Sequence, residues 1–296
     1  MRVFITGATG FIGTELVKEL IAAGHQVRGL TRSDIGAKQL EAAGAEVHRG
    51  TLQDLDSLRS GATGMDVVVN LAFNHDDMTK FAESGRDERE AIKALASVME
   101  PGKLLVVTSG TGLAEGGTEH VRLESDPAMS ADLWPRQPED VARAVGQTGI
   151  RVAIVRLPQV HNTLKQGLVP FLTGLARQKG VSAYVGEGAN RWAAAPLADV
   201  ARLYRLVVEQ QEAGVTVYHA VQEEGVSMRE IAETLAKGLK IPAVSLDGDK
   251  AAEHFGWLTT FAGLDMPASS EWTRKALNWE PTGPGLIEDL SNMNYA

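Results

Sequence analysis

Apolar positions along the chain alternate between short continuous runs and runs at helical spacing, with glycine or proline at most of the changeovers. Arg2 to Thr6 is a short apolar run and Gly7-Ala8-Thr9-Gly10-Phe11-Ile12-Gly13 follows at once. Ile12, Leu16, Val17, Leu20 and Ile21 then recur on one helical face until Gly24. Gln26 to Thr31 returns as a second strand. Ala37 to Ala43 predicts a short helix closed by Gly44, and Ala45 to His48 a third strand. Asp54 stands as N-cap of a helix holding Leu55 and Leu58. Met65 to Asn70 and Leu104 to Val107 read as strands buried on both faces. Between them lies a helix from about Ser84 to Met99, broken by Pro101-Gly102. Glu139 to Gln147 as helix and Arg151 to Arg156 as strand extend the series.

Such alternation predicts an α/β fold with a doubly wound parallel sheet, whose ligands lie at the carboxyl ends of the strands. Thr9, Phe11, Arg32, Asp54, Leu71 and Ser109 sit just past those ends and should share one crevice. From about Asn162 the pattern changes. Gly167 to Lys179 reads as a helix and Ala183 to Val185 as a short strand. Asp199 caps a helix carrying Val200, Leu203, Tyr204 and Val207, followed by a strand from Thr216 to Ala220 and a helix from Met228 to Leu239. The tail from Pro267 reads as irregular, with one short helix around Trp272 to Leu277. The predicted organisation is a nucleotide-binding unit over 1–161, to which 193–221 returns, and a smaller carboxyl-terminal substrate-binding region from 162–192 and 222–296.

The glycines carry the first chemistry. Gly7 permits the tight turn, Gly10 lets backbone N–H groups approach a pyrophosphate, and Gly13 lets the helix lie close on the strand with its N-terminus toward the anion. A dinucleotide is the expected ligand. An NAD site places a carboxylate about 20 positions on, where it takes the ribose 2′-hydroxyl. Here that place holds Thr31, Arg32 and Ser33. A guanidinium and a hydroxyl suit a 2′-phosphate, so NADP(H) is the expected cofactor, with Arg32 as a solvated loop charge the alternative.

Composition narrows the field further. A formal charge of -9 over 296 residues, with no basic stripe, argues against a nucleic-acid partner. With no cysteine there are no disulfides, thiolate nucleophiles or thiolate metal sites, which fits a reducing cytoplasm. No apolar run is long enough to span a bilayer, and because the first strand begins at Arg2 no targeting peptide is expected. The histidines are scattered and none has metal-ligand spacing. A small-molecule substrate is the expected partner, and the oligomeric state stays open, a homodimer included.

With the glycine turn, Asp54-Leu55, Asn70-Leu71-Ala72 and Arg156-Leu157-Pro158 in place, the chain resembles the short-chain dehydrogenase/reductase superfamily in its extended and atypical branches, which are NAD(P)-binding Rossmann proteins. Leu277-Asn278-Trp279-Glu280-Pro281 is similar to the Leu-Gly-Trp-x-Pro segment of extended members. The resemblance implies that Asp54 and Leu55 meet the adenine, that Leu71 and Ala72 line the cofactor through their backbone, and that the turn from Pro158 to Val160 lies against the nicotinamide. It also implies that Ser109 hydrogen-bonds a substrate oxygen. The family's Tyr-x-x-x-Lys pair, which moves the proton, has no counterpart: the first tyrosine is Tyr184, and no lysine lies between Lys103 and Lys165. The corresponding stretch offers Asp132, Trp134 and Arg136 instead.

The expected activity is therefore hydride transfer to a carbonyl, imine or activated alkene with a proton source other than tyrosine. A non-catalytic NADP(H)-binding sensor is the alternative, and a sugar-nucleotide epimerase the third reading. Ser109 and Thr111 are candidates to hold the acceptor oxygen, or else are turn hydroxyls serving local backbone. His161 suits a replacement acid, or packs and donates to backbone. Trp134, Arg136, Arg191 and Trp192 are candidates to contact substrate; a helix start at the first pair, and a core tryptophan beside a surface arginine at the second, are the alternatives. The acidic run from Glu115 to Asp126 reads as a solvated loop or a lid.

Overall fold

The strands that read as continuous apolar runs form the middle of one parallel sheet. The computed structural model describes residues 1–75, 80–116, 120–130 and 134–295. Among these residues β1 (Arg2–Thr6), β2 (Gln26–Thr31), β3 (Glu46–Arg49), β4 (Val67–Asn70), β5 (Leu104–Gly110), β6 (Arg151–Leu157) and β10 (Val215–His219) pair in the order β3-β2-β1-β4-β5-β6-β10, every pairing parallel. This is the doubly wound sheet. Chain order reverses between β1 and β4, the place where such folds open their ligand crevice.

Helices cover both faces. α1 (Phe11–Ala22) and α7 (Leu197–Gln210) pack Leu16, Leu20, Leu203 and Val207 on Ile5, Val69, Val106 and Val155. On the other face α3 (Leu55–Ala62), α4 (Phe81–Ala96) and α5 (Pro138–Gly146) set Leu58, Ile92 and Ala142 against Phe4, Val68, Leu105 and Ile154. Because β4, β5 and β6 are apolar on both sides, neither face could stay wet without large cost. α2 (Asp34–Ala42) links β2 to β3. It starts three residues before the expected Ala37, because the Ser33 hydroxyl accepts from Gly36 N at 3.0 Å and caps it there. α4 likewise starts at Phe81 rather than near Ser84.

The carboxyl-terminal half has a core of its own, in which Trp192, Val226, Ile231, Leu235, Phe255 and Leu286 meet. Its strands are β7 (Gln159–His161), β8 (Ser182–Val185), β9 (Arg191–Pro196), β11 (Glu223–Ser227) and β12 (Ala243–Leu246), in the sheets β11-β9-β7 and β12-β8. Its helices are α6 (Val169–Lys179), α8 (Met228–Leu239), α9 (Gly248–Phe255), α10 (Thr259–Gly263), α11 (Glu271–Leu277) and α12 (Leu286–Asn292). The strands of 3 to 6 residues at β7, β9, β11 and β12 lie outside the predicted pattern, and so does α12 in a tail read as irregular. Such short strands are specified by partners distant in sequence rather than by their own period.

Asp199 was expected to cap α7, but Pro196 occupies the cap and Asp199 lies inside the first turn. Its buried carboxylate accepts from Thr282 N (3.0 Å), Gly283 N (2.7 Å) and Arg202 (2.6 Å), while its carbonyl accepts from Trp279 Nε1 (3.0 Å). One side chain thus ties the tail back to the sheet. Asp199→Ala should lower stability by about 2–4 kcal/mol, since two backbone N–H groups lose a charged acceptor. Urea unfolding measures it, and a loss under about 0.5 kcal/mol would show the tail to be held without Asp199.

Candidate functional site

The crevice between β1 and β4 is built by close backbone approach. Gly7 has φ +68°, and a Cβ there would lie 2.9 Å from Ala72 N. A Cβ on Gly13 would overlap the Gly7 carbonyl oxygen, which Gly10 N already uses at 2.9 Å. Across the gap the Thr6 hydroxyl donates to Asn70 Oδ1 (2.7 Å) and accepts from Ala72 N (3.3 Å). Asn70 Nδ2 is buried and unpartnered. α1 has neither a side-chain cap nor an acid in its first turn, whereas α2 and α3 are capped by Ser33 and Asp54. Its first N–H groups therefore face the crevice without intrahelical partners, the arrangement that takes a pyrophosphate. The residues present fit a dinucleotide.

Other expected cofactor residues surround this point. Phe11 and Ile12 are half-buried against the sheet core, and Thr9 packs at the first turn of α2, where a Cβ on Gly36 would meet its methyl group at 3.0 Å. Arg32 and Ser33 are exposed at the end of β2. Ser33 accepts through its oxygen, which leaves its proton for another acceptor. Thr31 departs from expectation: it is buried under α2, where its hydroxyl meets the backbone of Ser33, so it shapes the turn. Asp54 is exposed and caps α3 by accepting from Ser57 N at 3.0 Å, with Leu55 half-buried beside it. Leu71, Ala72 and Pro158 are half-buried, and Val160 is buried in the core. Lys165, which the sequence pattern did not single out, holds its ammonium 5.7 Å from the Phe11 ring centroid. Asn162 Oδ1 fixes that loop by accepting from Leu164 N (2.8 Å) and Lys165 N (2.9 Å).

Beyond β5 the structure holds buried ion pairs. Ser109 is buried and donates to Glu139 Oε1 at 2.8 Å. Arg156 clamps the same carboxylate through Nε (2.8 Å) and Nη2 (2.9 Å), donates to Asp126 O (2.8 Å), and lies 3.4 Å from His219 Nε2. Ser109 and Arg156 are register partners across β5 and β6, which points both side chains at α5. One face further along, Arg136 forks onto buried Glu88 at 2.8 and 2.7 Å and stacks 4.2 Å over Phe73. Neither glutamate was among the expected site residues. The signal was present in Arg156, because an arginine inside an apolar strand needs a buried carboxylate.

For His161 and Trp192 the structure follows the packing alternative rather than the site reading. His161 has no exposed surface and turns Nδ1 to Asp289 on α12 at 2.6 Å, while its buried Nε2 has no partner; it packs and pairs rather than facing the crevice. Trp192 is likewise wholly buried, with Nε1 donating to Phe261 O at 3.2 Å, so it anchors the second core and cannot stack on a ligand. Arg191 is tied to Asp265 at 3.2 and 2.9 Å. Thr111 is buried beside the turn after β6, donating weakly to Leu157 O at 3.4 Å. Asp132 lies outside the described residues. In the acidic run, buried Arg122 donates to Ala114 O (3.2 Å) and Asp265 O (3.0 Å), and Glu124 accepts from Thr273 (2.6 Å), so its described part is tied down rather than a loose solvated loop. Tyr204, buried and 2.8 Å from the Thr108 hydroxyl, is pushed far above the ordinary phenol range by that burial and stays protonated.

His219 gives a pH dependence. Burial pushes its imidazole below the usual 6.5, with neighbouring Arg156 acting in the same direction and Glu124 and Glu139 opposing. Below that value the unfolded chain takes up a proton that the folded one does not, so this contribution is present in full above it and is lost as pH falls. The urea midpoint should drop between about pH 7 and pH 5, and less in His219→Gln. An identical profile in the variant would remove His219 as a cause.

A family model described as NAD(P)H-binding matches residues 7–184. An uncharacterized protein of Schizosaccharomyces pombe is 40% identical over 302 residues, covering 100% of both chains. The 4-hydroxy-2-methyl-3-oxo-4-farnesyl-3,4-dihydroquinoline-1-oxide ketoreductase of Stigmatella aurantiaca is 26% identical over 268 residues, covering 86% of this chain and 80% of that one. Among solved structures, DesIV, a dTDP-glucose 4,6-dehydratase from Streptomyces venezuelae with NAD bound, has TM-score 0.77 at 20% identity over 99% of this chain and 95% of that one, a likeness of fold. With its glycine cradle, parallel sheet and family match in agreement, the chain belongs to the NAD(P)H-binding family.

Proposed function

We propose that this protein is an NADP(H)-dependent oxidoreductase that reduces a carbonyl, imine or activated alkene on a small organic molecule. The uncapped N-terminus of α1 beside the Gly7 cradle is the observation that carries the reading. Bound nicotinamide supplies the hydride; the chain's own residues bind, orient and manage the proton. Arg32 and the free proton of Ser33 favour a 2′-phosphate, and Lys165 adds positive charge near the start of α1. The substrate region is assigned to 162–192 and 222–296.

Ser109 has its proton committed to Glu139, so Thr111 is the better holder of the acceptor oxygen, with water as the proton source. Carbonyl reduction is also what the name of the Stigmatella relative states for that protein. The burial of Ser109, Thr111 and His161 is what favours the second reading, a non-catalytic NADP(H)-binding sensor. A sugar-nucleotide epimerase reading rests on fold likeness alone. No helix among the described residues is long and apolar enough to cross a membrane. With no cysteine in the chain, we assign the protein to the cytoplasm.

Calorimetric titration with NADPH and NADH, followed by NADPH oxidation over aldehydes, ketones, imines and enones, tests these assignments. Arg32→Ala should weaken NADPH roughly 10- to 100-fold and leave NADH within about twofold. Lys165→Ala should weaken both equally by a few-fold, roughly what an exposed charge contributes. Equal losses in Arg32→Ala would take the 2′-phosphate away from Arg32. Thr111→Val should lower kcat by roughly 100-fold with KM little changed. Tight NADPH binding with no turnover on any class would leave the sensor reading.

A further inference from the structure

In a chain only 5% aromatic, six rings form one continuous row. Phe73 lies 5.4 Å from Phe81, Phe81 5.7 Å from Trp134, and Trp134 5.3 Å from Phe261. Phe261 is 6.3 Å from Trp257, which is 5.1 Å from Phe171. The row begins directly after Leu71 and Ala72, which pack on Gly7, and ends in the carboxyl-terminal half. It runs from the cofactor crevice outward.

Its packing differs from that of a core. Phe73, Phe81 and Trp134 belong to none of the apolar clusters formed by the described residues, and all six rings keep exposed surface, 38% for Phe171 and 49% for Trp257. Most of the contacts are edge-to-face, between 72° and 89°, so each pair uses the face of one ring only, and the row is not closed on itself as a stack would be. The Trp134 Nε1 donor is buried and unpartnered, the state of a group that waits for an acceptor. Charge is neutralised along the same wall, Arg136 by Glu88 and Arg191 by Asp265. Neither arginine offers the uncompensated charge that would recognise a diphosphate.

We infer that the substrate is a flat, uncharged ring compound bearing the reducible carbonyl, seated against this aromatic row, and not a sugar nucleotide. The inference rests on the reductase reading. In the balanced reaction a hydride and a proton add across the C=O bond to leave an alcohol, and reduced nicotinamide dinucleotide, the reductant, leaves oxidised.

The test is calorimetric binding of 2-acetylnaphthalene and of UDP-glucose, each with and without NADP⁺, to the wild-type chain and to Trp134→Leu, Phe81→Leu and Trp134→Phe. The naphthyl ketone should bind wild type, weaken a few-fold in Trp134→Phe, which keeps a ring but loses the Nε1 donor, and weaken roughly tenfold or more in either leucine variant, while UDP-glucose gives no heat and NADP⁺ affinity stays within about twofold throughout. Unchanged melting temperatures exclude misfolding as the cause. Ketone binding equal in all four proteins, or UDP-glucose binding in place of the ketone, would overturn the inference. A dimer that dissociates in the leucine variants while ketone binding persists would also overturn it, by making the row an interface between copies. A flat NADP⁺ titration beside Trp134-dependent ketone binding would remove the cofactor reading and leave the aromatic subsite standing.

Discussion

One close approach governs the nucleotide end of this molecule: the backbone of Gly7 against that of Leu71 and Ala72, across the boundary where strand order reverses. Any side chain at Gly7 would need a left-handed backbone and would displace Ala72 as well. Gly13 repeats the constraint one helical turn on, against the Gly7 carbonyl. The Thr6 to Asn70 hydrogen bond then holds the two strand ends at the spacing the glycines require. Because α1 springs from the same turn, its open N-terminus is placed by the same contact. Sheet order, turn and anion site are a single geometric fact.

The flank beyond β5 is organised by charge instead. Two buried carboxylates are held there in bidentate pairs, Glu139 by the buried Arg156 and Glu88 by the half-buried Arg136. Taking such groups out of water is costly, and the forked geometry together with backbone carbonyls at Asp126 and Thr108 offsets it. The resemblance to the short-chain reductases leads one to look here for a phenol and an ammonium. What the fold supplies is a wall of paired, locally neutral charge.

The difference between these two ends explains what could be read in advance. The nucleotide end is local: a strand, a glycine turn and a helix lie within the first 24 residues, and each leaves its period in the sequence. β4, β5 and β6 are legible for the same reason, since burial on both faces makes their middles continuously apolar. Asp199 does not take the cap expected of it, and the sequence leaves His161 and Trp192 open between a site and a packing role, because the three are fixed by Thr282, Asp289 and Phe261, between 69 and 128 positions away. No local pattern encodes such partners. Arg156 is the intermediate case: its strand position announced a buried carboxylate without saying which one.

The same asymmetry bears on what can vary without loss of the fold. At Gly7 and Gly13 the tolerance is smaller than a methyl group, because the neighbour in each case is backbone and cannot turn aside. Along the aromatic row the neighbours are side chains, partly exposed, each free to be exchanged for another ring or an aliphatic group at modest cost to packing. Backbone contacts therefore constrain the nucleotide end tightly, while the aromatic row is held by side chains that can be exchanged with the fold intact.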